Sequence, residues 1–267
     1  MKNKDKHNLL IVTDIDGTLM DHKYDLSPAL ATITKVKNMK IPIVLCTSKT
    51  ASEVRSIRKD IAIDDPYIVE NGAAIYGNHI NKISEWELIL GRSYKDLRRV
   101  LDYLAEVINY PLRALNDLSY KEINQLTGLN SIEIEKALDR HWSVPFLNPP
   151  EKYRNKLQEL ALLNDLNIFQ GNRMSHLLSV ESHKGKAVNA LKKYLNKSEA
   201  YVIALGDSQN DIPLLEVADK AIVVPGINGP NKFLEQGITD GDFILAPAPH
   251  AKGWSLAVSE AINQYGC

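Results

Sequence analysis

The sequence is poor in cysteine. Its 267 residues include two, Cys46 and Cys267. Two thiols in a chain of this length make no disulfide framework, and no pair of the seven histidines has zinc-site spacing with them. Cys46 ends the apolar run IPIVLC and reads as a small buried hydrophobe. Cys267 is the last residue and reads as exposed and incidental. An excess of either charge is missing too: 32 Lys and Arg stand against 33 Asp and Glu. That balance offers no electrostatic footprint for nucleic acid or an anionic membrane surface. Aromatic residues are 7% of the chain and do not interleave with basic ones, so stacking on bases has no support. No apolar run approaches the roughly 18 residues of a membrane span. The basic opening stretch MKNKDKHNLLIVTD contains only LLIV, short of the about 7 to 15 apolar residues of a secretory segment. A soluble protein in a reducing, cytoplasmic setting is expected, without nucleic-acid or membrane partners. Repeats, low-complexity tracts and long linkers are absent as well.

What is present is ordinary globular material, 44% apolar and 24% charged. The length suits one large domain, or a core with one insertion. Short Val- and Ile-rich runs without polar alternation predict buried parallel strands at 9–13, 41–46, 67–69, 201–205, 221–224 and 243–245. Helical segments lie between them. Ser27-Pro28 predicts an N-cap followed by proline, with Leu30, Ile33 and Val36 facing inward. Thr50-Ala51-Ser52-Glu53 predicts a capping box. Trp254, Ala257, Val258, Ala261, Ile262 and Tyr265 form one helical stripe. This alternation predicts a doubly wound α/β core with a parallel sheet. From about Asn81 to Ser179 the pattern changes. A long helix is predicted over 93–108, a capping box at Ser119 and Glu122, a short helix after Ser131 and another over 151–163. Strands are expected at 86–89, 112–115, 144–147 and 173–180. The expected organisation is a core of 1–81 and 180–267, with an α+β unit inserted at 82–179.

The sharpest chemical signal is Asp14-Ile15-Asp16-Gly17-Thr18, directly after the first strand. Ligands of open parallel sheets bind beyond the carboxyl ends of strands. Two carboxylates two residues apart there suit a metal and acid/base site. Gly206-Asp207-Ser208-Gln209-Asn210-Asp211 repeats the arrangement after a later strand. Hard divalent cations take oxygen ligands, and Mg²⁺ typically takes one or two carboxylates plus phosphate and water. Thr47-Ser48 precedes a capped helix, where hydroxyl and N–H groups can hold phosphate. Lys184-Gly185-Lys186 opens another helix, and a lysine there can hold phosphate as a point charge.

These four elements, in this order, resemble the motifs of the haloacid dehalogenase superfamily, and the resemblance covers the whole chain. It implies a Rossmann-like core with an inserted C2-type cap, Mg²⁺ as cofactor and a small phosphorylated metabolite as substrate. On the matching positions it implies Asp14 as nucleophile, Asp16 as acid and base, and Thr47 and Lys184 as holders of the phosphoryl oxygens. Asp14, Asp16 (through its main-chain oxygen) and Asp207 would hold the metal, and Asp211 would orient Lys184. The segments TSKTASE, IVENGAAIY, GNRMSHLL, HKGKAV and KGWSLAV are similar to those of the phosphatases of mannosyl-3-phosphoglycerate. Ser143-Val144-Pro145 departs from the Ser-Glu-Pro usual in that branch. Candidate substrate contacts are Ser48, Lys49, Asn71, Asn210 and, in the cap, Arg173 and His176, which three residues apart are expected to face one way on a bent strand or short turn, with Arg173 suited to a carboxylate; Glu70 is a further candidate near the cleft. The expected reaction is hydrolysis of mannosyl- or glucosyl-3-phosphoglycerate. A broad sugar-phosphate phosphatase of the Cof type is the alternative, ahead of a phosphomutase or a non-catalytic binding protein.

Overall fold

The computed structural model describes residues 8–21, 24–79, 81, 83–171 and 173–266. Cys267 lies outside them.

Eight strands build the large sheet: β1 (Leu9–Thr13), β2 (Ile43–Cys46), β3 (Tyr67–Val69), β4 (Ala74–Asn78), β5 (Glu85–Ile89), β9 (Tyr201–Gly206), β10 (Lys220–Val223) and β11 (Ile244–Leu245). Three more, β6 (Val144–Leu147), β7 (Leu166–Gln170) and β8 (Met174–Ser179), form a separate antiparallel sheet in the order β6-β8-β7. The large sheet runs β11-β10-β9-β1-β2-β3-β4-β5 and is parallel from β11 to β3. The chain starts in the middle at β1, winds outward through β2 and β3, and later returns to β9 on the other side of β1. The direction of winding therefore reverses at β1, which makes its carboxyl end the place for a ligand.

Helices cover both faces. They are α1 (Leu30–Asn38), α2 (Ala51–Asp60), α7 (Lys184–Tyr194), α8 (Ile212–Glu216), α9 (Glu235–Asp240) and α10 (His250–Tyr265). Successive strand side chains point to opposite faces. Leu9 and Ile11 thus pack with Ile33 of α1, Val54 of α2 and Trp254 of α10. Leu10 and Val12 pack with Val188 and Leu191 of α7 and Leu214 of α8. Burial on both sides is why these strands carry uninterrupted apolar runs. The stripe expected on α10 is buried throughout, and Cys46 is buried.

The smaller unit carries α3 (Tyr94–Ile108), α4 (Tyr120–Thr127), α5 (Ser131–Leu138) and α6 (Glu151–Leu162). The Ser93 hydroxyl caps α3, and the capping boxes at Thr50 and Ser119 form as expected. Leu97, Leu101 and Leu104 of α3 and Leu157 of α6 pack on Val144, Phe146 and Leu177. Ile123 and Ile134 of α4 and α5 make a second cluster with Met174.

Several expectations are corrected. Ser27 does not cap: Ser27–Ala29 is a 3-10 turn without a side-chain cap, and Leu30 is exposed. The strand at 243–245 reduces to β11, whose Ile244 and Leu245 lie at the exposed sheet edge rather than buried. Residues 112–115 form no strand; a single bridge joins Ala114 to Phe146 before a 3-10 turn at Leu115–Asp117. The strand expected inside the insert at 86–89 is part of β5 and pairs with β4 of the large sheet. We therefore propose that the insert begins after Ile89 rather than at 82. β4 and β7 carried too little period-2 signal to be expected.

Candidate active site

The site lies at the carboxyl ends of β1, β2, β3 and β9. The Asp14 amide donates to Leu205 O of the neighbouring strand (2.9 Å), so Asp14 leaves the sheet in a fixed direction. Gly17 then turns the chain at φ +86°, where a Cβ would sit 2.4 Å from Asp207 Oδ2. Only glycine satisfies both the left-handed backbone and this approach. Gly206 has the same steric role, since a Cβ there would meet the Asp211 side chain at 2.4 Å.

Lys184, the first residue of α7, is fully buried. Its Nζ donates to Asp14 Oδ1 at 2.6 Å and to Asp211 Oδ1 at 2.5 Å. The other Asp211 oxygen accepts from the Asp207 and Ser208 amides, each at 3.0 Å. Asp211 is thus saturated and acts as an anchor for Lys184. Thr18 Oγ1 donates to Asp207 Oδ1 (3.0 Å).

Among the described residues, Asp14, Asp207 and Asp211 form one group whose carboxylate oxygens lie within 4.8 Å of one another. Two buried carboxylates, Asp14 and Asp211, and the half-buried Asp207 face one ammonium. Burial pushes Asp14 up to about 7, with Lys184 opposing the rise and Asp211 and Asp16 adding to it. Asp207 is raised well above the carboxylate range by burial and by Asp14. Burial pulls the Lys184 ammonium the other way, but Asp14 and Asp211 outweigh it and hold its pKa above that of an ordinary lysine. The surplus of buried negative charge and the all-oxygen donor set fit a hard divalent cation between Asp14 and Asp207.

Asp16 points elsewhere. Its Oδ2 is 3.0 Å from Lys49 Nζ, which also lies 3.7 Å from Glu53, and its side chain is 42% exposed. It can therefore reach incoming solvent and substrate while Asp14 stays enclosed. Thr47 is buried; its carbonyl accepts from the Asn71 amide (2.9 Å), and its Oγ1 accepts from the Lys49 amide (3.2 Å). Asn210 Nδ2 donates to Asn71 Oδ1 (3.0 Å), which ties the Asp207 loop to the turn after β3. Glu70 and Asn71 adopt left-handed φ of 48° and 59° there. The structure thus brings Asp14, Asp16, Thr47, Lys49, Asn71, Lys184, Asp207, Asn210 and Asp211 together, with Ser48 alongside.

The two cap candidates do not join each other. Arg173 is exposed in the turn before β8, and its Nη1 donates to Thr127 O at the end of α4 (3.1 Å). His176 sits within β8, opposite Pro145 and Phe169. Arg173 lies in the bend before β8 and not on the strand that carries His176, so the two share no strand face.

Two contributors escape the sequence reading. His250 Nδ1 lies 2.9 Å from Gly17 O and, facing a carbonyl, is the donor. Trp254 Nε1 donates to Thr13 Oγ1 (2.9 Å), which donates to Asp14 O (2.7 Å). One turn of α10 thus braces the loop of the nucleophile candidate from behind. The segment KGWSLAV carries part of the resemblance, but Trp254 within it reads as core from its helical spacing. Glu70, a candidate near the cleft, also holds the insert. Although on the large sheet's side, its carboxylate accepts from the amides of His141 (3.0 Å) and Trp142 (3.2 Å) and from Ser143 Oγ (2.5 Å) of the insert.

A family model for haloacid dehalogenase-like hydrolases matches residues 11–228. The chain is 33% identical to a glucosyl-3-phosphoglycerate/mannosyl-3-phosphoglycerate phosphatase of Persephonella marina, over 97% of this chain and 100% of that one. It is 31% identical to a phosphatase of the same name from Methanococcoides burtonii, over 96% and 97%. Among solved structures, a haloacid dehalogenase superfamily phosphatase from Bacteroides thetaiotaomicron shares the fold at 18% identity, with a TM-score of 0.72 over 100% of this chain and 98% of that one. No helix among the described residues is long and apolar enough to cross a membrane. The motif order, the acidic cluster at the switch point of the sheet and these matches agree: the chain belongs to the haloacid dehalogenase-like hydrolases.

Proposed function

We propose that this enzyme is a Mg²⁺-dependent phosphatase of a glycosyl-3-phosphoglycerate, mannosyl or glucosyl, releasing glycosylglycerate and inorganic phosphate. The observation that carries this is the buried Asp14–Lys184–Asp211 chain with Asp207 beside it. It aims one carboxylate at a place where charge must be neutralised. The two curated relatives, each named for this activity, support the substrate class.

Phosphate monoesters hydrolyse so slowly that enzymes lower the barrier by up to more than about 20 kcal/mol. Positioning and charge neutralisation supply most of it. Lys184 pins Asp14 Oδ1 and leaves the second oxygen to attack phosphorus in line. The P–O bond to the glycerate oxygen breaks, and Asp16 protonates the departing alkoxide. The aspartyl-phosphate splits one hard step into two. Asp16, now a carboxylate, takes a proton from water, whose oxygen attacks phosphorus and returns Asp14 with release of phosphate. Thr47 and Lys184 hold the phosphoryl oxygens. Asp14, Asp207 and the main-chain oxygen of Asp16 would hold Mg²⁺, which when bound offsets the repulsion between carboxylate and phosphate dianion. Ser48, Lys49, Asn71 and Asn210 surround the approach to the phosphate.

A broad sugar-phosphate phosphatase is the second reading, favoured by Val144 where the narrower branch carries Glu. The test is phosphate release with Mg²⁺ across mannosyl- and glucosyl-3-phosphoglycerate, 3-phosphoglycerate and hexose phosphates. A kcat/KM highest on a glycosyl-3-phosphoglycerate is expected. A flat profile, or a preference for hexose phosphates, would reject the narrower reading.

A further inference from the structure

Arg140 is a cationic side chain of the insert that reaches the phosphate loop. It lies just after α5, and its side chain is 7% exposed. Its Nη1 donates to Ser48 O, next to Thr47, and to Ser143 Oγ, each at 3.1 Å. Glu70 Oε2 stands 3.9 Å away, but its carboxylate also accepts from three donors of residues 141–143, so the charge of Arg140 is shared rather than cancelled. The guanidinium is therefore held in place from both the insert and the large sheet.

It is held with a donor unused. Among the described residues, Arg140 Nε is buried without a hydrogen-bond partner, and so is His176 Nδ1. The two belong to one neighbourhood. Ser143, which accepts from Arg140, is followed two residues later by Pro145, the cross-strand partner of His176. Arg140 is also the charged group whose field acts on His176. Buried orphan donors are rare because each forfeits its bond to water, and the unpaired guanidinium N–H of Arg140 at this seam calls for a ligand acceptor. Arg58 also has unpaired nitrogens, but its guanidinium covers the Tyr67 ring at 4.3 Å, which explains them without a ligand. Nη1 anchors one side of the Arg140 fork. The Nε–Nη2 edge is the side that matches a carboxylate with two parallel bonds.

We propose that Arg140, positioned by Glu70 and Ser143 and flanked by His176, binds the carboxylate of the phosphoglycerate moiety, and that Arg173 does not. The inference rests on the glycosyl-3-phosphoglycerate reading above. The anion reader then sits on the loop that docks beside Ser48, so carboxylate and phosphate are held by adjoining parts of one seam.

The test crosses an enzyme change with a substrate change. The substrates are glucosyl-3-phosphoglycerate and its analogue with the carboxylate reduced to an alcohol; Arg140→Met, Arg140→Lys and Arg173→Ala are compared with wild type. The wild-type preference for the carboxylate, as a ratio of kcat/KM, should fall about 100-fold in Arg140→Met, mainly through KM, and about tenfold in Arg140→Lys, which keeps the charge without the fork. Arg173→Ala should leave the ratio within about twofold, whatever it does to either rate. If Arg140→Met fails to fold by circular dichroism, Arg140→Lys reads the same ratio. Equal losses on both substrates in the Arg140 variants, or a collapse of the ratio in Arg173→Ala, would overturn the assignment while leaving the phosphatase reading intact. Wild-type turnover of hexose phosphates but of no glycosyl-3-phosphoglycerate would overturn both.

Discussion

The carboxyl end of the large sheet and the seam with the insert are built differently, although they adjoin at the Thr47–Ser48 turn. At the sheet, the buried Asp14 and Asp211, the half-buried Asp207 and Lys184 are locked by short bonds between the loops after β1 and β9 and the start of α7. At the seam, a single buried carboxylate, Glu70, takes donors from His141, Trp142 and Ser143, while Thr50 Oγ1 donates to Lys136 O and Ser52 bonds Asp139. The first region concentrates unlike charge against burial, which suits a reacting phosphoryl group. The second bonds main chain and side chains across an interface and leaves a guanidinium donor of Arg140 unused, which suits recognition. Chemistry and selectivity should therefore be separable by mutation.

The largest expected effect is at the sheet. Asp14→Asn should lower kcat by about 10⁴-fold or more, with the melting temperature kept or raised, because one of the crowded carboxylates is neutralised. A rate near wild type in phosphate-release assays would remove Asp14 from the nucleophile role. Chelation with EDTA should silence turnover, and Mg²⁺ should restore it; metal-independent hydrolysis would contradict the reading of the acidic cluster.

At the seam, Glu70→Ala leaves the buried donors of residues 141–143 without their acceptor. A loss of about 2–3 kcal/mol in denaturant unfolding is expected, with KM rising more than kcat falls. A selective collapse of kcat with unchanged stability would break the separation drawn between the two regions. Behind the sheet, Trp254→Phe removes one N–H while keeping a large ring. It should cost about 1 kcal/mol and several-fold in kcat, because Thr13 loses the bond that sets its hydroxyl toward Asp14 O. Unchanged kinetics would make α10 packing alone.

The smallest effect is a pH dependence in the insert. Burial pulls His176 down from 6.5 to about 3. Between these values the unfolded chain binds a proton that the folded chain excludes. The corresponding stability is fully present above about pH 6.5 and is lost as pH falls toward 3. Melting temperatures at pH 7.5 and 5 should therefore differ more for wild type than for His176→Asn; equal differences would refute the shift.

Much of the sheet-side site was legible before any coordinates because its chemistry is written in short segments next to strands. A buried strand ending in Asp-x-Asp-Gly must turn there, and parallel winding puts such turns side by side. The insert was legible as elements but not as a surface. Arg173 carries the expected functional group, yet the turn before β8 sends it to Thr127. Arg140 looks like one more polar residue after a helix until Ser48 is placed against it. Glu70 reads as a cleft candidate from its place after β3, but its role in holding the insert is hidden, since those partners are more than 70 residues away in sequence.

The sequence by itself determined the apolar strands, the capping boxes at Thr50 and Ser119, and the acidic turns at Asp14 and Asp207, because period, capping chemistry and glycine conformation act over a few neighbouring residues. Tertiary structure alone decided that β5 joins the large sheet, that His250 and Trp254 brace the acidic loop, and that Arg140 rather than Arg173 meets the phosphate loop. Those outcomes depend on which distant surfaces exclude water together, and burial turns a side chain's unused donor or charge into a cost that only a partner from elsewhere in the chain, or a ligand, removes.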